Sequence, residues 1–278
     1  MTGRIAALFM GLAGLLLASA AGALTLDGAV REGGVVFGQV APGATVRLEG
    51  EKLRVSDKGL FVMGFGREAE GEKTLTVEKP GGETVTRTLD VAPVDWPVQR
   101  IDGLPDNEVT PSEEALEKIR ADAAAIARAR ERDTASPFFR DGFVRPVAGP
   151  VSGVFGSQRI LNGEPRSPHS GLDIAADKGT PVKAAAPGIV SLVVPDMFFT
   201  GRTVMLDHGH GLETVYAHMA DIRVEEGERV DQGQTIGTVG ESGRATGPHL
   251  HFGLSWFGTR LDPAAVVTGR RGGGDDKS

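Results

Sequence analysis

The sequence predicts a mainly β chain: a C-terminal antiparallel β-sheet or β-barrel-like domain, a small N-terminal β-sandwich-like domain, and a helix connecting them. Two observations carry this. Forty of the 278 residues are glycine and only 5% are aromatic, a composition of many tight turns between short strands. Segments of β-branched residues bounded by glycine also recur through both halves. There is no cysteine, so the core holds the fold without disulfides, and any metal site is built from His and carboxylates.

The elements follow in order. Met1–Arg4 carries one Arg, Ile5–Leu17 is apolar, and Ala18-Ser19-Ala20-Ala21-Gly22-Ala23 is small. That is the order of a secretory signal peptide, cleaved after Ala23 or, second, after Ala20; the competing reading is an uncleaved anchor. No other segment approaches transmembrane length, so no stable membrane insertion is expected after cleavage. The formal charge is −7, and loss of the leader, with one Arg and no acid, makes it −8. A net acidic chain argues against nucleic acid as a partner.

Residues 24–91 are read as the β-sandwich-like module. Thr45–Leu48 and Thr74–Val77 alternate in period two, Thr84–Leu89 less cleanly, and Pro42-Gly43, Gly64 with Gly66, and Pro80-Gly81-Gly82 mark turns. With no clustered His or acid, the module is expected to be a spacer or packing unit, with a wall-binding role as the alternative. Residues 92–137 are expected to be linker and helix, the stretch 92–107 being Pro-containing and irregular. Thr110 is the expected N-cap, with Pro111 at the first helical position and the acids Glu113 and Glu114 in the first turn. The helix is expected to run through Ala115–Arg132 and to pack on one neighbour through Leu116, Ile119, Ala123 and Ile126.

The C-terminal domain spans 138–268. Its expected strands are Gly188–Val194, Thr203–His208 and Glu213–His218, the last two joined by a hairpin at Gly209-His210-Gly211. Arg229–Val230, Thr235–Val239 and His249–Trp256 follow. Residues 269–278 form a polar, Gly-rich tail expected to be disordered.

All six histidines fall in this domain. His169 and Asp173 are four apart, and Gly171 and Ile174 favour an extended segment with both on one face. His249 and His251 share a face of another strand, with Leu250 turned to the core. Two such pairs can converge on one cation. Zinc accepts imidazole and carboxylate together, and a catalytic site keeps one position open. Three protein ligands then leave one strand histidine, with His218, for proton chemistry.

These residues resemble the lysostaphin-type (LytM family) zinc metallopeptidases over a little under half of the chain, from about Arg145 to Pro263. The matching pieces are Gly153-Val154-Phe155-Gly156, Pro168–Ala175, Gly179–Val182, Tyr216-Ala217-His218-Met219, Gly233–Gly237 and Gly243–Phe252. The resemblance implies one Zn2+ per chain held by His169, Asp173 and His251, with His218 and His249 as the unliganded catalytic pair. It also implies an exported, periplasmic or extracellular endopeptidase that cuts peptide cross-links of peptidoglycan at the cell wall. Two other readings compete. One is a relative that binds wall and activates other hydrolases without cutting. The other is a carrier module, which Val182–Gly188 and Val224–Gly237 resemble in texture, but no lysine stands convincingly at a hairpin tip.

Some relatives place a tyrosine just before the first metal histidine. Gly163–Pro168 holds none, and Arg166 is the candidate polarising cation in its place. His208 and His210 are expected to be turn or rim residues, and Tyr216 to pack beside His218.

Overall fold

The computed structural model describes residues 24–101 and 112–267. The expected leader 1–23, the expected cap Thr110 and the tail 269–278 lie outside the described residues. Seven strands come first: β1 (Thr25–Gly28), β2 (Val35–Gln39), β3 (Thr45–Leu48), β4 (Glu51–Lys52), β5 (Leu60–Gly64), β6 (Gly71–Glu78) and β7 (Thr84–Val91). They form two antiparallel sheets, β1-β2-β5 and β4-β3-β6-β7. Period-two alternation sends Val36, Phe61, Met63, Val46, Leu75 and Val77 into the core between them. The opposite face of β1-β2-β5 is buried too: Val35 and Val62 pack on Phe139, Leu212, Leu254 and Leu261. The sheet is thus shared between two cores.

Residues 92–101 are not wholly irregular. Val98–Ile101 forms β8, which pairs in parallel with β10 (Gln158–Leu161) after β9 (Val151–Gly153). A partner sixty residues away in sequence supplies the ladder, which no local pattern announces.

Helix α1 runs Glu113–Arg130, capped by Ser112, whose Oγ accepts from Ala115 N. The cap therefore sits two residues beyond the expected Thr110, and the helix stops two residues before Arg132. Ala123 is exposed. The buried face turns instead through Ala125, Ile126 and Ala129, which meet Leu192, Met197 and Met205 of the sheet below.

The remaining strands are β11 (Glu164–Pro165), β12 (Gly171–Ala175), β13 (Pro181–Lys183), β14 (Gly188–Met197), β15 (Gly201–Asp207), β16 (Leu212–Ile222), β17 (Arg229–Val230), β18 (Thr235–Val239), β19 (His249–Trp256) and β20 (Thr259–Leu261). A short α2, Ala264–Val267, follows. The main sheet runs β17-β14-β15-β16-β19-β12-β9, with β13, β18 and β20 branching from it. Among the described residues its end strands β17 and β9 do not pair with each other, so the expected antiparallel sheet is open and does not close into a barrel. The hairpin at 209–211 is present, Leu212 N donating to Gly209 O at 3.1 Å.

His208 and His210 are buried, not rim residues, at 0% and 1% exposure. His208 Nδ1 donates to Pro187 O at 2.7 Å, and its Nε2 meets Thr214 Oγ1 at 2.7 Å. His210 Nε2 donates to Ala135 O at 3.0 Å, and its N to Thr134 O. Both rings meet phenylalanines edge-on, Phe143 and Phe139, so they pin the segment after α1 to the hairpin. Tyr216 is also core. Its hydroxyl accepts from Ala185 N and bonds Thr214, its ring lies on Phe252, and burial pushes its pKa up to about 12.

Two buried groups oppose each other in pH. Burial pushes His208 down to about 4 from 6.5, so in the unfolded chain it gains a proton the fold refuses, and stability falls as pH drops from 6.5 to 4. Burial pushes Glu213 up to about 7 from 4.5, against the pull of Arg130 at 3.6 Å. The folded state then holds a proton that the unfolded chain has lost, so stability falls as pH rises from 4.5 to 7. Each is worth on the order of 3 kcal/mol. Glu213→Gln removes the second slope only. In thermal melts its stability relative to wild type is expected to rise between pH 4.5 and 7; a constant difference would contradict the assignment.

Candidate metal centre

The centre is built from strand register. Asp173 on β12 pairs with His251 on β19, which pairs in turn with Ala217 on β16. Directly paired residues share a face, so these three stand in one row across three strands. Their neighbours Leu172, Ile174, Leu250 and Phe252 turn to the core beneath. His249, two residues before His251, rises on the same side.

His169 is not on the strand. It precedes β12 in a loop and reaches back to Asp173. His169 Nε2 lies 3.0 Å from Asp173 Oδ1 and 3.1 Å from His251 Nδ1, and the last two atoms are 2.8 Å apart. Among the described residues these three form the one group able to hold a metal ion. A tetrahedral zinc with ~2.0–2.1 Å bonds needs ligands roughly 3.3 Å apart, so opening the triangle by a few tenths of an ångström suffices.

The protonation states suit ligation. His169 Nδ1 donates to Val154 O at 2.9 Å, which leaves Nε2 with its lone pair toward the cluster. Burial keeps the His251 imidazole below its usual range, favouring the neutral form. At Asp173 burial pushes the carboxyl up, but the imidazoles of His169 and His251 pressed against it outweigh burial and hold it well below the usual carboxylate range.

His218 needs a backbone irregularity to join them. On a regular strand it would share the core face of Tyr216. Between the pairs Val204↔Tyr216 and Arg202↔Met219, two residues of β16 oppose one of β15, a β-bulge. His218 sits in the bulge with φ +60°. The break turns its ring to the site side, 4.7 Å from the His249 ring and 6.0 Å from that of His251. Tyr216 stays below, so the expected Tyr216–His218 packing is replaced by opposite faces.

The two rings outside that group, His218 and His249, are each fixed in one tautomer. His218 Nδ1 donates to Ser242 O and His249 Nδ1 to Gly247 O, each at 2.8 Å. Ser242 Oγ in turn donates to Met219 O and accepts from Arg202 N, both at 2.9 Å. Burial pushes the His218 pKa down to about 4. His249 Nε2 lies 3.8 Å from Asp173 Oδ1.

Sequence reasoning passed over the residues that make room. A Cβ at Gly171 would lie 2.5 Å from Phe252 O and 2.8 Å from the His251 ring; one at Gly153 would lie 2.4 Å from Asp173 Oδ2. A glycine inside a strand beside a ligand is the signal that could have found Gly171. Arg166, the candidate polarising cation, is not brought to the cluster by any hydrogen bond or ion pair among the described residues. Its Nε is buried, and its carbonyl accepts from Gln158 Nε2.

Comparisons with known proteins place this architecture. Residues 167–263 match the model of peptidase family M23. The DD-carboxypeptidase/endopeptidase Mpg of Neisseria meningitidis serogroup B is 42% identical over 99 residues, 36% of this chain and 23% of that protein. The peptidoglycan DD-endopeptidase ShyC of Vibrio cholerae is 40% identical over 118 residues, 42% of this chain and 27% of the relative. The chain thus spans about a quarter of the length of these curated relatives. A solved Pseudomonas aeruginosa protein assigned to peptidase M23 is similar over far more, 84% of this chain and 93% of that one, at 30% identity and a TM-score of 0.65. The class is that of the metallopeptidases. Within it, this chain belongs to peptidase family M23.

Gly171→Ala sets a methyl against the His251 ring. It is expected to weaken zinc binding about tenfold or more in competition with a chromophoric chelator. Unchanged affinity would mean that His251 has room to withdraw.

Proposed function

We propose that the protein is an exported zinc metalloendopeptidase that hydrolyses peptide bonds in peptidoglycan cross-links, with His169, Asp173 and His251 as ligands and His218 and His249 as the catalytic pair. The curated relatives whose names specify peptidoglycan DD-endopeptidase activity support the substrate class. The observation that carries the catalytic reading is the tautomer lock: two histidines left off the ligand group each commit Nδ1–H to a carbonyl, and so keep Nε2 for the reaction.

Zinc held by the three ligands supplies Lewis acidity, lowering the pKa of a water and polarising a carbonyl. The rest belongs to the side chains. A neutral imidazole with Nδ1 already donating has one acceptor, Nε2, and that atom takes the proton of the attacking water. The imidazolium so formed donates from the same Nε2, either to the developing oxyanion or to the departing amine. Two rings 4.7 Å apart divide these tasks. Burial at His218 favours its neutral form, the form that can accept a proton. Asp173, held ionised, offsets positive charge at the neighbouring rings. Export rests on the leader-like residues 1–23, and a periplasmic or extracellular site at the wall follows from the substrate.

The test is digestion of purified peptidoglycan with mass spectrometry of the released muropeptides. His218→Ala and His249→Ala are each expected to lower the rate by roughly 10²–10⁴-fold while zinc content stays at one per chain. Either variant matching wild type would remove that residue from the catalytic pair. Wild type that holds zinc but releases nothing would favour a non-cutting activator of other wall hydrolases. A second expectation concerns the metal itself. Chelation should abolish release, and added zinc should restore it and raise the melting temperature, because the ion binds the folded state; release that persists in a metal-free sample would refute zinc dependence.

A further inference from the structure

His169 is the only member of the ligand group that no strand holds, so its aim depends on the segment packed against it. That segment is 154–157. Gly156 N donates to His169 O, His169 N donates to Ser157 O, and His169 Nδ1 donates to Val154 O, all at 2.9 Å. The inner side of the segment therefore fixes the histidine's backbone, ring plane and tautomer.

Its outer side is held by residues far upstream. Arg67 Nε donates to Gly156 O at 2.9 Å, and its guanidinium lies over the Trp96 ring at 5.6 Å. Trp96 meets Phe155 edge-on at 5.5 Å. Gly156 has φ +78°, and a Cβ there would fall 2.1 Å from the Trp96 ring, so backbone and indole are in close contact. Trp96 is itself anchored: its Nε1 donates to Glu32 Oε2 at 3.0 Å and to Arg67 O at 3.2 Å, and Val94 N donates to the same carboxylate oxygen at 2.9 Å. Glu32 is buried, 7% exposed. Beyond Trp96, Gln158 N donates to Pro97 O at 2.8 Å, and the parallel β8–β10 ladder continues the seam.

We infer that Arg67 and Trp96 are positioning residues for the metal ligand His169, so that the N-terminal sandwich and its linker tune the affinity and geometry of the centre. Both residues lie outside 167–263, the stretch that matches the family model. The groups that hydrogen-bond a ligating histidine set its orientation and basicity, and losing one typically costs about 10–100-fold in metal affinity. Here the partner of His169 is a backbone carbonyl, so whatever holds that carbonyl in place acts at one further remove. The inference rests on the zinc-ligand reading proposed above.

The test uses the whole protein in its zinc and cobalt forms. Arg67→Met keeps an aliphatic stem over Trp96 and removes the donor to Gly156 O. Trp96→Ala removes the buttress. Arg54→Ala is the control: it breaks the Arg54–Asp133 pair, a different contact between the sandwich and the rest of the chain, remote from 154–157. Zinc affinity is read by chelator competition, ligand geometry by the visible absorption bands of the cobalt form, and folding by circular dichroism. The expected result is zinc affinity weakened about tenfold in Arg67→Met and at least as much in Trp96→Ala, with altered cobalt bands, while Arg54→Ala matches wild type. Should Trp96→Ala not fold, Arg67→Met decides alone. Wild-type affinity and spectrum in Arg67→Met overturn the inference, as does equal weakening in Arg54→Ala, which would signal general loosening. If wild type itself takes up no zinc, the ligand reading fails and this inference goes with it.

Discussion

Everything at the centre depends on the register of β12, β19 and β16. Asp173, His251 and Ala217 stand in one row because antiparallel pairing sets them opposite one another. A slip of one residue would send His251 into the core and bring Leu250 or Phe252 up in its place. The core below resists that slip, since Leu172, Ile174, Leu250 and Phe252 are all fully or nearly fully buried. Burying each of these is worth about 1.5–3 kcal/mol, so the same apolar residues that stabilise the sheet also hold Asp173 and His251 in line.

The row is completed by two departures from regular structure. A bulge carries His218 across the sheet, in a left-handed conformation that costs a non-glycine residue of order 1 kcal/mol or more. The hydrogen bond from His218 N to Thr200 O at 2.8 Å and that from its ring to Ser242 O over-determine the arrangement and offset the cost. A loop carries His169 in from outside the sheet. The loop around Thr200 is braced in turn by α1, where Asp122 accepts from Phe198 N at 2.7 Å. Both sides of the site therefore lean on parts of the chain far away in sequence.

Much of this was legible beforehand, and the limits are physical. Thr45–Leu48 could be read from alternation, and Arg229–Val230, Thr235–Val239 and His249–Trp256 as glycine-bounded β segments, the last two being buried on both faces and so without an alternating pattern. The convergence of His169, Asp173 and His251 could be read from spacing and resemblance. Burial of a histidine could not. His208 and His210 sit in a glycine-rich hairpin that looks like an exposed rim, and the residues that cover them include Phe143 and Phe139, some seventy residues earlier. Strand β8 was missed for a similar reason: its hydrogen bonds go to a distant partner, and its own four residues carry no alternation. The bulge at His218 left Tyr216 and His218 two apart, which reads as one face on any regular strand. Arg67 and Trp96 carried no local signal, because their contacts with 154–157 exist only in three dimensions.

The shared sheet β1-β2-β5 has one more consequence. Its two faces belong to two different cores, so neither neighbour has a complete interior without it. The segment that recurs across the family could not simply be cut from this chain and remain well behaved: Leu212, Leu254 and Leu261 would become a bare apolar patch, adhesive to other copies and to partly folded chains. The matched segment 167–263 is therefore not a free-standing cassette: its interior is closed only by the sandwich that covers it.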